Sequence, residues 1–196
     1  MKLDINNIRS LLYFFAPFLI VCYFLLFSLI NMDLKGIIYL IGLFIGLIVT
    51  IFIGNGITKK DNMFSNQSEL CNFVTINHIA NISNVPLSIS VYCFTTFYLL
   101  YTMAINNSII PNLLLLVFLG ILILTDMIWL TRNSCFSGMN IMIGMLISGL
   151  MGLLWGYLIN KFNNKDLQYF TADDNICTIP KNKYFKCNTK QKKQKE

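Results

Sequence analysis

Five stretches of this chain each approach or exceed the roughly 20 apolar residues that an α-helix needs to cross about 30 Å of hydrocarbon. They run approximately over Ile8–Asn31, Gly36–Ile57, Pro86–Ile105, Ile110–Thr131 and Met139–Asn160. In lipid every backbone N–H and C=O must be paired inside the protein, so an open sheet is excluded, and runs this continuous lack the alternation of a barrel strand. The expectation is an all-α fold, a polytopic membrane helical bundle with about five transmembrane helices in a lipid bilayer. Composition agrees, since only 12% of the 196 residues are charged and 56% are hydrophobic, with a mean hydropathy of +0.63. Soluble domains carry about 25% charged residues. The first apolar run is too long for the core of a signal peptide and no small-residue cleavage site follows it, so it reads as a retained helix.

The connections after the first and third runs are short, which makes runs one and two, and three and four, helical hairpins. Two polar regions remain: the connection 58–85, inside a bundle domain spanning 1–160, and a basic C-terminal tail, 161–196. Nine of the fifteen Lys and Arg residues lie at or beyond Lys161, so the tail carries most of the net charge of +6. Its lysines could meet anionic headgroups or nucleic acid. A solvated tail is the simpler reading of such a charge run, and nucleic acid is not an expected partner. An odd number of crossings puts the N-terminus, the 58–85 connection and the 131–138 turn on one face and the tail on the other. Lys2, Arg9, Lys59, Lys60 and Arg132 stand near the first face against Lys35, Lys161 and Lys165 near the second, so the positive-inside rule favours the first face as cytoplasmic. The sequons at Asn66, Asn81 and Asn106 are what an Asn-rich chain produces by chance.

Small residues recur every four positions in two of the runs: Gly42, Gly46, Thr50 and Gly54 in the second, and Gly144, Ser148, Gly152 and Gly156 in the fifth. That spacing keeps them on one helix stripe. Without a hydrophobic force between helices in lipid, close backbone approach across small residues supplies the attraction. Both stripes are therefore expected to be helix–helix contacts, within the chain or between copies in a homo-oligomer.

Few residues are equipped for chemistry. Asp126, near the end of the fourth run, is an intramembrane carboxylate, a functional signal by default, although so close to an interface it can simply pair with a cation. Arg132 is six residues away, so that pairing requires the helix to end between them. The single histidine, His78, has no second histidine or paired carboxylates beside it, and neither metal binding nor general-base work is expected of it. Cys22 and Cys93 lie in apolar runs and read as small buried hydrophobes. Cys177 and Cys187 bracket nine residues of the tail and form a possible disulfide if that side is oxidising, inert thiols otherwise. No cofactor or metal is expected.

The stretch leading into the fifth run carries a resemblance. Lys59 and Lys60 follow the second run, Pro86-Leu-Ser88-Ile opens the third, Thr131-Arg132 ends the fourth, and Asn140-Ile-Met-Ile-Gly144 opens the fifth. This order resembles the type 2 phosphatidic acid phosphatase superfamily, whose membrane enzymes present K-x6-R-P, P-S-G-H and S-R-x5-H-x3-D motifs on one face, the last continuing as D-V-x-x-G. The resemblance covers about residues 59–156. It implies that Lys59, Lys60 and Arg132 are placed to hold a phosphate or lipid headgroup. No Arg-Pro follows the lysines, Asn140 replaces an acid two residues early, and neither histidine of the family has a counterpart. One of those histidines is the nucleophile, so the resemblance implies a degenerate, catalytically silent relative.

An Asn-, Ile-, Lys- and Phe-rich composition suggests an AT-rich genome, and the chain is similar in kind to membrane or minor capsid proteins of large DNA viruses. Three functional expectations follow. The first is a structural, scaffolding component of a virion inner membrane or host-derived internal membrane, contacting coat or capsid proteins through 58–85 or the tail. The second is a lipid-phosphate phosphatase-like enzyme or headgroup binder using Lys59, Lys60 and Arg132. The third is a small transporter or channel with Asp126 as its intramembrane charge.

Overall fold

The computed structural model of the protein describes residues 5–57, 83–162 and 167–170, with side chains from Phe15 onward. All the regular elements among them are helices: α1 (Ile5–Ile30), α2 (Lys35–Ile57), α3 (Leu87–Ile105), α4 (Leu113–Arg132) and α5 (Gly138–Lys161). Helices α2 to α5 are long and apolar enough to cross a membrane, and the described part of α1, Phe15–Ile30, is a shorter apolar helix. The protein is a helical bundle compatible with an integral membrane protein. Its outward faces are apolar, with Phe52 76%, Leu114 83% and Leu150 65% exposed, which in water would be a liability and in lipid is ordinary solvation.

Three helices end in the same way. Asn31, Asn106 and Asn133 follow the last helical residues of α1, α3 and α4, and each Nδ2 donates to a carbonyl one turn back: Phe27 at 2.8 Å, Thr102 at 2.9 Å and Trp129 at 2.9 Å. The next residues, Met32, Asn107 and Ser134, adopt φ of 53°, 52° and 51°. The left-handed step turns the chain so that the following N–H groups return to the helix, as in Asp33 N to Ser28 O at 3.0 Å, Ser108 N to Met103 O at 2.9 Å and Cys135 N to Leu130 O at 3.0 Å. Carbonyls that would otherwise be orphaned near a membrane interface are thus satisfied. Helix α4 begins at Leu113 rather than Ile110, because the chain first turns through Pro111 and Asn112.

Successive helices alternate in direction, and named contacts fix which ends meet. At one end Ser28 near the C-terminus of α1 accepts from Gly36 N at the start of α2 at 2.8 Å, and Trp155 Nε1 near the end of α5 donates to Ile38 O at 3.2 Å. Ser108, beyond α3, reaches Phe170 O at 3.5 Å, so the chain beyond α5 departs from this end, called here the tail end. At the other, the loop end, a Cβ added to Gly54 would stand 2.9 Å from Val85 and one added to Gly144 3.4 Å from it. Val85 just before α3 therefore sits between the end of α2 and the start of α5. The chain leaves the bundle at Ile57 and returns at Ser83, both at the loop end. Connection 58–85 and the tail consequently emerge at opposite ends.

Helices α3 and α5 run parallel and form the principal seam. A Cβ on Gly152 would come within 2.4 Å of Phe94 O, on Gly149 within 2.9 Å of the Phe97 ring, and on Gly156 within 2.7 Å of Tyr101. The α2 stripe is used differently: Gly42 receives the Trp155 indole and Gly46 the Phe94 ring, at 2.1 and 2.8 Å from the position a Cβ would take. Thus each glycine stripe meets large side chains or backbone of another helix in the same chain. Thr50 and Ser148, on the same stripes, bond their hydroxyls back to Gly46 O at 2.7 Å and Gly144 O at 2.6 Å, so they present no unpaired polar atom to the seam.

Candidate functional sites at the two ends of the bundle

Two apolar clusters define the bundle interior, and the polar groups that matter lie at their edges. At the loop end the cluster contains Ile89, Cys93, Leu130, Cys135 and Ile141, with Trp129 and Met145 against it. Asp126 is 2% exposed beside it and accepts a 2.7 Å hydrogen bond from Ser88 Oγ. Ser88 stands in the first turn of α3, which has neither a side-chain cap nor an acidic residue of its own. A carboxylate from α4 therefore lies at the positive end of α3, where a helix favours negative charge. Tyr92 and Cys93, one turn further along α3, are within electrostatic reach of it.

The expected pairing of Asp126 with Arg132 does not form. Helix α4 runs unbroken through Arg132, so the chain reversal that pairing requires comes too late. Arg132 is exposed at the end of α4 and Asn140 is half-buried at the start of α5. Among the described residues the one ion pair is Lys35 with Asp33, at 3.2 Å. Lys59, Lys60, His78, Cys177 and Cys187 lie outside the described residues. Among those described, no group of three or more His, Cys, Asp or Glu side chains is placed to hold a metal. Cys135, 3% exposed in the turn between α4 and α5, is disulfide-bonded, whereas Cys22 and Cys93 are free thiols.

At the tail end the larger cluster includes Phe24, Tyr39, Phe94, Tyr98, Leu99 and Tyr169. Tyr169 belongs to the segment Leu167–Phe170, which folds back into the bundle beyond α5. Its ring packs edge-on against Phe24 at 5.3 Å and its hydroxyl donates to Phe24 O at 2.8 Å. Gln168 is fully buried and donates through Nε2 to Gly156 O at 3.3 Å. Tyr39 ties α2 to α3 through a 2.6 Å hydrogen bond with Thr95. Burial pushes the Tyr169 hydroxyl up to about 12; a hydrogen bond with Ser28 opposes the shift and the nearby Asp33 carboxylate adds to it. Gln168 Oε1 is buried and has no hydrogen-bond partner among the described residues.

The division at Lys161 between bundle and tail is therefore not where packing stops. Reading from sequence alone missed the docked segment; its signal was the apolar cluster Leu167-Gln-Tyr169-Phe170 between polar residues. It missed the Ser88–Asp126 bond as well, because nothing local relates residues 38 positions apart. Comparison with known proteins finds no matching family model, no matching curated protein and no matching solved structure.

Proposed function

We propose that this chain is a catalytically silent structural membrane protein. In this reading it is a rigid multi-pass scaffold of a virion inner membrane or minor capsid layer, with 58–85 and the tail 161–196 as contact surfaces for coat proteins. The observation that carries the reading is the seam between α3 and α5. Gly152 leaves its neighbour's backbone no room for even a methyl group, and the docked Leu167–Phe170 segment locks the start of the tail onto α1 and α5. A bundle packed this closely suits holding two extramembrane segments at opposite ends better than opening a path between them. The absent family histidines and the AT-biased composition support the same reading.

Crosslinking mass spectrometry on purified particles or membranes tests it. Lys190, Lys192, Lys193 and Lys195 are expected to crosslink to a coat protein. Turnover of phosphatidic acid or diacylglycerol pyrophosphate that disappears in Arg132→Ala would instead establish an enzyme. A second reading, headgroup binding without turnover, is favoured by the exposed Arg132 at the loop end. Phospholipid that copurifies with the wild type and is lost from Arg132→Ala would support it.

A further inference from the structure

The segment Leu167–Phe170 touches parts of the bundle that are far apart in the chain. Tyr169 meets α1 and the turn after it: its ring lies 5.3 Å from Phe24, its hydroxyl donates to Phe24 O at 2.8 Å, and a Cβ added to Gly36 would stand 3.2 Å from that hydroxyl. On α2 the same ring faces Tyr39 edge-on at 6.3 Å. Gln168 Nε2 donates to Gly156 O of α5 at 3.3 Å, and Phe170 O accepts from Ser108 Oγ, between α3 and α4, at 3.5 Å.

Helix α1 depends on this segment. It packs chiefly along α2, and among its described side chains only Pro17, Phe24 and Ser28 are buried. Phe24 gives α1 its place in the tail-end cluster, between Tyr39 at 5.5 Å and Tyr169 at 5.3 Å. Without Tyr169, Phe24 would keep the first contact and lose the second.

Two penalties are confined to the docked segment. Gln168 is fully buried, and its Oε1 has no hydrogen-bond partner among the described residues. A buried acceptor without a donor has given up the water that served it when exposed. Phe170 holds φ at 58°, a left-handed conformation unfavourable for a bulky aromatic residue. The other positive-φ residues, Met32, Asn107 and Ser134, close the ends of α1, α3 and α4, whereas Phe170 lies beyond α5 and ends none of the five helices. Both penalties flank Tyr169, and both are relieved when the segment leaves the bundle.

We propose that Leu167–Phe170 is a releasable latch that clips the tail-end half of α1 to α2 and α5, poised so that undocking of the segment and loosening of α1 are one event. The α3–α5 seam, where Gly152 meets Phe94 O and Gly149 the Phe97 ring, contains no residue of the latch. Release therefore moves α1 without opening the seam. By linkage, a partner that captures Tyr169 only when it is undocked loosens α1, and one that binds only the loosened α1 weakens the dock by the same factor.

Hydrogen exchange read by mass spectrometry on the full-length chain in detergent micelles tests this. In the wild type, peptides covering residues 20–30 and 167–170 should share one opening equilibrium, with lower protection than α3 and α5. Tyr169→Ala, which loses a buried ring and a hydrogen bond, should raise exchange in residues 20–30 at least about tenfold and leave α3 and α5 unchanged. Tyr169→Phe, which loses only the hydroxyl, should shift the same residues in the same direction by less. Gln168→Met removes the unmet acceptor, while Gly156 O keeps the bond from Asn160 N that its own helix supplies, so exchange should slow in both segments. Exchange in α1 that ignores both Tyr169 variants, or that rises equally in α3 and α5, overturns the latch. Unchanged or faster exchange in Gln168→Met overturns its poise.

Discussion

At the scale of single residues, the bundle is governed by how polar atoms are satisfied where water is scarce. Among the described residues, the Asp126 carboxylate is held by the Ser88 hydroxyl. Ser88→Ala should destabilise the protein by about 1–3 kcal/mol, the cost of leaving a buried acceptor without its donor. Thermal unfolding in detergent measures it; a change below a few tenths of a kcal/mol would mean that the carboxylate finds another donor. Met32 offers the opposite case. It is 95% exposed at φ 53°, so its side chain contributes little packing and its backbone is strained. Met32→Gly relieves a left-handed penalty of about 1–2 kcal/mol against a glycine entropy cost of about 0.5–1 kcal/mol, for a net gain of up to about 1.5 kcal/mol. A lower melting temperature would contradict this. Asn31, Asn106 and Asn133 stand near the ends of apolar runs, but an Asn-rich chain hides them among many others. Only the backbone turn distinguishes a capping Asn from a chance one.

At the scale of elements, the glycine stripes differ in what they admit, and two substitutions expose the difference. Gly152→Ala would place a methyl 2.4 Å from Phe94 O, a backbone atom that cannot swing aside. It should cost about 1–3 kcal/mol or more, as overpacking does, by forcing α3 and α5 apart. Gly120 on α4 has nothing within 4 Å of an added Cβ, so Gly120→Ala should be neutral or stabilising by up to about 1 kcal/mol through helix propensity. Equal responses from the two variants in the same melting experiment would remove the α3–α5 seam as the tight contact. Helix positions were readable to within about three residues because length and apolarity are local properties. Small-residue spacing identified which faces approach something, but it could not say what. The α2 stripe takes an indole and a phenyl ring, and the α5 stripe takes the α3 backbone at Gly152 and the Tyr101 ring at Gly156. That assignment depends on side chains from other helices filling the space each glycine leaves.

At the scale of the whole molecule, the docked segment Leu167–Phe170 joins the far end of the chain to α1, α3 and α5, and its chemistry predicts a pH response. The Tyr169 hydroxyl titrates at about 12 when docked, above the ordinary value of about 10 for a free tyrosine. Because the docked state binds this proton more tightly, its contribution to stability is intact below about pH 10 and is lost as pH rises towards 12. Limited proteolysis of the tail should accelerate across that interval in the wild type. In Tyr169→Phe, which already lacks the bond to Phe24 O, cleavage should be faster at neutral pH and lose the alkaline rise. A wild-type rate independent of pH would show that the hydroxyl does not hold the dock. Apolar run length and backbone pairing in hydrocarbon were enough to specify a helical bundle of about five apolar helices with a basic tail, because they leave few alternatives. Tertiary structure alone decided that Asp126 meets Ser88 rather than Arg132, that each glycine stripe meets a large side chain or the backbone of another helix, and that four residues of the tail return to the core. Each of those outcomes joins residues far apart in the chain. Such pairs are selected by shape and hydrogen-bond complementarity once the helices pack, and no local pattern encodes them.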